Sequence, residues 1–335
     1  MELIERQHFL GAPDFRVGAP VINFVLPCYN EEAVLPETAR RMERLLEELE
    51  AQELISSASS VYFVDDGSRD KTWSLIETLS NRSPRFCGIK LSRNRGHQNA
   101  LLCGLMSIHG DAIISLDADL QDDLGIIADM VRAFRAGHEV VYAVRRRRDT
   151  DTFFKRVTAE GYYRILAAMG VKLVFNHADY RLMGRRPLEA LRGYREPHLF
   201  LRGLVPLLGY RSTTVEFDRA ERFAGESKYP LGKMLALAWQ GISSFTPYPL
   251  RLITGAGVLV SLVSLSMALW ALGLRILTED ALPGWASTVI PMYFLGGIQL
   301  LGLGVIGEYL AKVFESGKHR PRYQVESICG EWRGP

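Results

Sequence analysis

Five short apolar segments, each followed directly by polar residues, constrain the fold of this chain more than any other feature. They cover residues 21–26, 61–64, 86–91, 112–116 and 140–144. Helical periodicity occupies the stretches between them, near residues 33–54, 70–79, 98–109 and 124–136. This alternation predicts an α/β fold, a mostly parallel sheet with helices on both faces. Ligands bind such sheets at the carboxyl ends of the strands.

The polar residues that follow the segments are predicted to share one crevice. Tyr29, Asp65 with Asp66, and Arg93 follow the first three segments, and Asp117 and Asp119 follow the fourth. Carboxylates at positions i and i+2 of a strand end can turn towards one point, and Mg²⁺ takes one or two carboxylates plus substrate phosphates. A solvated acidic turn is the alternative for Asp117 and Asp119 alone. The convergence of the strand ends favours a ligand site.

Several classes of protein are excluded. Residues 27–32 read PCYNEE, where a dinucleotide-binding protein has G-x-G-x-x-G. The formal net charge is +2, so no global field indicates nucleic acid. The 4 cysteines lie far apart without a C-x-x-C pair, which argues against a zinc site or a disulfide framework.

The last third of the chain predicts two membrane spans, at about residues 252–275 and 288–312. Residues 252–274 carry no charge, and at about 1.5 Å per residue they reach across a hydrocarbon core of roughly 30 Å. Two buried core helices are the alternative. Lysines and arginines lie before the first span and after the second, whereas the link between the spans, residues 278–287, contains neither. By the positive-inside rule, both termini and the domain before the spans are cytoplasmic, in a multi-pass protein of the inner (plasma) membrane.

The predicted organisation has four parts. Residues 1–228 form a cytoplasmic domain, and 229–249 form an amphipathic juxtamembrane segment whose helix lies on the inner leaflet, with a core helix as the alternative. Residues 250–314 hold the two spans and a short outside loop, and 315–335 form a basic cytoplasmic tail. Glycines in the second span allow close helix packing, so a homo-oligomer through these helices stays open.

Seven motifs in order point to a known family. VLPCYNEE (25–32), VDDGS (64–68) and DADLQD (117–122) resemble the family-2 glycosyltransferases with the GT-A fold. Four more are similar to the branch that uses polyprenyl phosphates, namely the bactoprenol glucosyltransferases and dolichol-phosphate mannose synthases. They are SRNRGH (92–97), DYRLM (179–183), FLRG (200–203) and RFAGESKYP (222–230). Arg95, where an aromatic residue is more usual, and Tyr180, where phenylalanine is common, depart from the pattern.

The resemblance implies a role for each matching residue. Asp66, or Asp65, would read the uracil edge, and Gln121 would lie next to the sugar. Asp117 and Asp119 would flank the diphosphate and its divalent metal, Mg²⁺ or Mn²⁺. Asp179 would approach the reacting centre with Asp119 and Gln121. The remaining residues of the nucleotide-sugar pocket would be Pro27, Tyr29, Asn30, Glu31, Arg93 and Ala118.

A membrane-tethered enzyme of this kind suggests a lipid acceptor, a polyprenyl phosphate. Its phosphate is mostly ionised at neutral pH, with a second pKa near 6. It therefore needs cationic donors more than a strong base, and we expect Asp179 to position the acceptor rather than to act as a base. The candidate donors are Arg145–Arg148, Lys155, Arg156, Arg202, Arg222 and Lys228. Direct displacement by the phosphate predicts inversion at the anomeric carbon.

The sequence thus predicts a hexosyltransferase that moves glucose from a UDP-sugar to undecaprenyl phosphate. The same chemistry with mannose from GDP-mannose, or with N-acetylglucosamine, is the nearest alternative. A processive polysaccharide synthase would need more spans and a Q-x-x-R-W motif, and neither is present. A non-catalytic membrane scaffold that reuses the fold is the alternative from another class, and the intact acidic residues weigh against it.

Overall fold

The computed structural model describes residues 18–145, 177–194, 201–217, 248–277, 285–318 and 320–331. The chain divides into two compact units. We call the first the sheet unit, which comprises Met1–Ala167, Lys172–Tyr229 and Arg320–Pro335. We call the second the helical unit, which comprises Ala168–Val171 and Pro230–His319.

The described residues of the sheet unit form a sheet of eight strands in the order β7-β5-β6-β4-β1-β2-β3-β8. The first half of the chain supplies β1 (Ile22–Cys28), α1 (Leu35–Ala51), β2 (Val61–Asp65), α2 (Thr72–Arg82), β3 (Phe86–Leu91), α3 (His97–Ser107), β4 (Ala112–Ser115), α4 (Ile127–Arg135) and β5 (Val140–Arg145). Later segments supply β6 (His177–Gly184), α5 (Arg185–Arg192), α6 (Leu201–Leu207), β7 (Ser212–Phe217) and β8 (Val325–Cys329). Among these described strands, β6 and β8 run antiparallel to the other six. The predicted mostly parallel α/β sheet is confirmed.

Helices cover both faces of this sheet, which explains why its central strands are apolar throughout. All residues of β1 and β2 are buried. Helices α1, α2 and α4 bury their apolar sides against the face that carries Phe24 and Phe63. Helix α3 packs on the opposite face, so close to Val25 that a Cβ at Gly104 would overlap that side chain. Parallel strands buried on both faces lose the polar–apolar alternation of a half-exposed strand.

The C-terminal tail returns to the sheet unit as an edge strand. Strand β8 pairs antiparallel with β3, with Gly88 opposite Cys329 and Lys90 opposite Ser327. Just before β8, the backbone oxygen of Gln324 accepts a hydrogen bond of 2.9 Å from the Ser92 amide. Residues 315–335 were predicted only as a basic tail, because a short, half-exposed segment such as VESIC carries a weak strand signal.

The helical unit contains α7 (Tyr248–Leu277) and α8 (Trp285–Gly317), and each helix includes one predicted span. Gly302 of α8 lies against α7, where a Cβ would be 3.4 Å from Ile253. Within the described residues, the segment Phe294–Gly317 is the one long and apolar enough to cross a membrane. Large apolar side chains such as Trp270 and Met292 are more than half exposed in the unit. The predicted interfacial helix falls in residues 218–247, outside the described part of the chain.

Candidate active site

The polar residues that follow β1, β2 and β4 lie at one edge of the sheet. Strand register fixes this arrangement, because Cys28 pairs with Asp65, and Val25 pairs with Ser115. Pro27 is buried within β1, one residue before the strand ends. The acidic residues after β2 and β4 therefore flank the end of β1.

The loop after β1 is tied to the loop after β2 by hydrogen bonds. The Asn30 amide donates to Ser68 Oγ over 2.9 Å, and the Glu31 amide donates to Thr72 Oγ1 over 2.8 Å. Asn30 has a φ of 55°, a left-handed conformation that asparagine tolerates better than most residues. Tyr29, just before this turn, is 42% exposed. The bends thus leave an aromatic ring accessible beside the strand ends.

The adjacent carboxylates Asp65 and Asp66 have different surroundings. Asp66 accepts from two backbone amides, that of Arg95 on Oδ1 (2.6 Å) and that of Gly96 on Oδ2 (2.9 Å). Asp65 accepts from the Ser68 amide on Oδ1 (3.1 Å), and its buried Oδ2 has no hydrogen-bond partner among the described residues. Burial raises the pKa of both carboxyl groups. Both oxygens of Asp66 therefore hold the 92–97 loop, whereas Asp65 Oδ2 can still accept a hydrogen bond from a ligand.

The 92–97 loop also packs directly on Gly67. This glycine has a φ of +68°, and a Cβ there would lie 2.7 Å from both Arg93 C and Asn94 N. A side chain at position 67 would therefore push the loop away. Arg93 itself is exposed. The resemblance assigned Arg93 to the nucleotide-sugar pocket, and the packing keeps its backbone close to the end of β2.

The loop after β4, residues 117–122, is held by its own side chains and by α1. Thr38 Oγ1 donates to the Ala118 carbonyl over 2.9 Å, and Asp122 Oδ2 accepts from the Asp117 amide over 3.2 Å. Asp119 Oδ1 accepts from the Gln121 amide over 3.2 Å. The side-chain nitrogen Nε2 of Gln121 is buried, with no hydrogen-bond partner in the described residues. We call residues 117–122 the acidic loop.

Asp179, on β6, is the centre of a cluster of charges. Arg181 Nη2 donates to Oδ1 over 2.6 Å, while Gln98 Nε2 (2.9 Å) and Arg202 Nη2 (3.1 Å) donate to Oδ2. Burial alone would raise the pKa of Asp179, but the charges of Arg202 and Arg181, a hydrogen bond from Arg202 and the charge of His97 lower it to about 2. The carboxyl group is therefore ionised and engaged on both oxygens, which suits an anchor better than a base.

His97 lies between this cluster and the acidic loop. Its Nε2 is 3.6 Å from Asp117 Oδ1 and 3.7 Å from Asp179 Oδ2. Burial raises the pKa of Asp117; His97 opposes that shift, and the charges of Asp179 and Asp119 add to it. In the described part of the chain, no group of three or more His, Cys, Asp and Glu side chains is arranged to hold a metal ion.

The predicted acceptor cations are only partly described. Arg202 joins the Asp179 cluster, and Arg145 is the last residue of β5. Arg156 and Lys228 lie outside the described residues. Arg181, fully buried, was not predicted as a site residue. The available signal was its spacing, because residues i and i+2 of a strand point to the same face.

Acidic residues at the strand ends, next to a carboxylate flanked by two arginines, fit enzymes that transfer groups from phosphate-bearing donors. Sequence comparison makes this specific. The glycosyl transferase family 2 model matches residues 24–192. An uncharacterized glycosyltransferase of Bacillus subtilis, YkoT, is 47% identical over 92% of this chain and 91% of its own length. The bactoprenol glucosyl transferase of Shigella phage SfV is 36% identical over 91% of this chain and 98% of its own length.

The chain therefore belongs to glycosyltransferase family 2, and the protein is a glycosyltransferase. The resemblance seen in the motifs is confirmed. Among solved structures, a mannosyltransferase of Pyrobaculum calidifontis in complex with GDP-mannose and Mn²⁺ has 18% identity and a TM-score of 0.43. That comparison covers 91% of this chain and 92% of the other, and the likeness is too distant to bear on function.

Proposed function

We propose that the protein is a membrane-bound, inverting enzyme that moves glucose from UDP-glucose to a polyprenyl phosphate. The observation that carries the proposal is the division of one site into an acidic and a cationic half. Asp117 in the acidic loop and the arginine-flanked Asp179 lie within 3.6 and 3.7 Å of the same His97 nitrogen. A cation-bound diphosphate suits the acidic half, and a second, anionic phosphate suits the cationic half.

The donor nucleotide would occupy the end of β1 and β2. Asp65 is the better candidate for the uracil N–H, because both oxygens of Asp66 already accept backbone hydrogen bonds. Tyr29 offers an exposed ring, with Pro27, Asn30, Glu31, Arg93 and Ala118 around the pocket. The buried amide nitrogen of Gln121, without a partner in the described residues, would donate to a sugar hydroxyl.

A divalent cation, Mg²⁺ or Mn²⁺, would be held by Asp117 and Asp119 together with the diphosphate of the donor. Both residues offer hard carboxylate oxygens, and such cations complete their shell with phosphate oxygens and water. When bound, the cation would offset negative charge on the departing diphosphate. Burial raises the pKa of Asp117, and the charges of Asp179 and Asp119 add to that shift, so a cation would offset negative charge that the buried loop solvates poorly.

The acceptor phosphate would lie against Arg202, whose side chain is 42% exposed although it is paired with Asp179. Arginine suits this task because its planar fork can donate two parallel hydrogen bonds to phosphate. Arg145, Arg156 and Lys228 remain proposed contributors. An ionised phosphate oxygen would form a bond to the anomeric carbon as the bond to the diphosphate breaks, and UDP would leave with the electron pair. This single displacement inverts the anomeric configuration and requires no base.

The pairing of β8 with β3 limits the number of membrane crossings in the proposed enzyme. β8 follows α8 in the chain but pairs with β3, which precedes α7. If the sheet unit lies on one side of a membrane, the chain must cross that membrane an even number of times between β7 and β8. This favours two spans, α7 and α8, with the sheet unit and the tail together on the cytoplasmic side.

The test is a transfer assay with the full-length protein in membranes, undecaprenyl phosphate and a panel of labelled UDP- and GDP-sugars, with and without chelator. We expect label from UDP-glucose in the lipid fraction, loss of transfer with EDTA, and recovery with Mg²⁺ or Mn²⁺. Asp119→Ala should abolish transfer. Label from GDP-mannose or UDP-N-acetylglucosamine instead would correct the sugar, and full transfer by Asp119→Ala would contradict the proposed site.

A further inference from the structure

Gln98, in the first turn of α3, connects parts of the sheet unit that are far apart in the chain. Its Nε2 donates to Asp179 Oδ2 over 2.9 Å, and its Oε1 accepts from the backbone amide of Leu201 over 3.2 Å. Both ends of one side-chain amide are thus used, one on β6 and one on the first residue of α6. No sequence motif assigned a role to this residue.

Both groups that Gln98 binds are immediate neighbours of Arg202. Asp179 is the carboxylate that Arg202 pairs with, and Leu201 is the residue before Arg202 in α6. Gln98 therefore restrains both the charged partner of the guanidinium and the backbone that carries it. An arginine whose carboxylate partner and adjoining backbone are both held in place has fewer accessible rotamers, so less conformational entropy is lost when a phosphate binds.

The same residue is linked to the donor side of the site. It follows His97, which lies 3.6 Å from Asp117 of the acidic loop. The residues just before His97 are fixed by Asp66, which accepts from the amides of Arg95 and Gly96. A displacement of the 92–97 loop would therefore reach Arg202 through Gln98.

We propose that Gln98 is a positioning residue, which aligns Arg202 and the acceptor phosphate with the donor sugar. This inference rests on the proposed function, because it takes Arg202 as a ligand of the acceptor phosphate. A purely structural Gln98 would instead stabilise the fold and affect donor and acceptor kinetics alike.

The experiment compares two substitutions at Gln98 in full-length protein reconstituted with undecaprenyl phosphate. Gln98→Leu removes both hydrogen bonds at similar volume. Gln98→Glu keeps an acceptor for Leu201 but sets a carboxylate against Asp179. The matched control is Gln52→Glu, at an exposed position just after α1. Each variant is measured for kcat, for the KM of donor and of acceptor, and for melting temperature.

We expect Gln98→Leu to lower kcat/KM for the acceptor about 10-fold or more, with the donor KM within about 2-fold of the parent. Gln98→Glu should lose more than Gln98→Leu, since like charges then face each other, and Gln52→Glu should match the parent. In an Arg202→Ala background, Gln98→Leu should cost at most about 2-fold more, because residues that act through one another are not additive.

Three results would overturn the inference. The first is an acceptor kcat/KM in Gln98→Leu equal to that of the parent. The second is an equal rise in donor and acceptor KM together with a lower melting temperature, and the third is full additivity with Arg202→Ala. A parent protein that transfers no sugar to any polyprenyl phosphate would overturn the proposed function itself, and the role of Gln98 with it. Parental activity in the same assay separates these cases.

Discussion

Replacing Asp179 by asparagine should mainly unbalance a buried charge. Arg181 has no exposed side-chain surface, and its Nη2 lies 2.6 Å from Asp179 Oδ1. Asparagine keeps the shape of the carboxyl group but removes the negative charge that lies within hydrogen-bond distance of Arg181 among the described residues. Breaking a buried ion pair on one side typically costs about 3–5 kcal/mol. That is a large part of the roughly 5–15 kcal/mol that holds a domain folded.

The double substitution Asp179→Asn with Arg181→Met tests this explanation. Replacing a buried pair by uncharged groups of similar volume is often neutral, so the double variant should regain most of the lost stability. It should not regain transfer, because Arg202 still lacks the carboxylate that positions it. Urea unfolding of the detergent-solubilised protein, followed by tryptophan fluorescence, measures the first effect, and the polyprenyl phosphate assay measures the second.

One result would refute this reasoning. If Asp179→Asn unfolds at the same urea concentration as the parent, binds both substrates normally and yet turns over no sugar, then Asp179 acts as a base. A base would need a carboxyl group whose pKa lies near neutrality, whereas the surrounding cations lower the pKa of Asp179 to about 2. The stability of the single variant therefore separates the two roles more clearly than its activity does.

Three further outcomes are expected. Gly67→Ala should lower UDP-sugar affinity, measured by calorimetry, by about 10-fold or more, since its Cβ would lie 2.7 Å from the backbone of the 92–97 loop. Gly96→Ala is the control, because Gly96 has a similarly positive φ but open space around its Cβ position, and it should lower the affinity less. Equal losses in the two variants would contradict the packing argument. Acid should weaken the fold through Asp179, because its pKa of about 2 lies below the ordinary aspartate value of 3.8. The difference gives about 2 kcal/mol that is present above about pH 4 and is lost as pH falls towards 2. Urea midpoints of the parent should therefore fall more over that range than those of the Asp179→Asn, Arg181→Met double variant. Truncation after Gln324 should lower the melting temperature by at least about 4 °C, because it removes β8. Truncation after Glu331 keeps β8 and should leave the melting temperature unchanged. Equal melting curves for the two truncations would show that β8 adds no stability.

The sequence predicts the first half of the sheet well for a physical reason. Strands such as β1 and β4 are buried on both faces, so they read as unbroken apolar runs with polar residues at the end where ligands bind. β6 is different, because it carries Asp179 and Arg181 inside the protein, where they neutralise each other. Charged residues in a sequence are normally predicted to be exposed, and the fold is needed to show that these two are buried as a pair.

The sequence also could not distinguish neighbouring candidate residues in the site. Asp65 and Asp66 are adjacent and chemically identical, so composition and motif cannot say which one faces a ligand. The difference arises from the 92–97 loop, whose amides occupy both oxygens of Asp66. Gln98 was equally invisible, since an amide in the first turn of a helix has no sequence signature for the two distant groups that it joins.

The edge position of β8 also has a consequence for how the protein is made. β8 is synthesised after α7 and α8, and until it arrives, β3 is an open edge of the sheet. Domains fold largely in the order in which the ribosome delivers them, and an unpaired edge strand is a template for aggregation. The sheet can therefore be closed only after both long helices have been produced. Completion of the sheet therefore depends on the prior synthesis of α7 and α8. A chain stalled before β8 would expose β3 to other nascent chains.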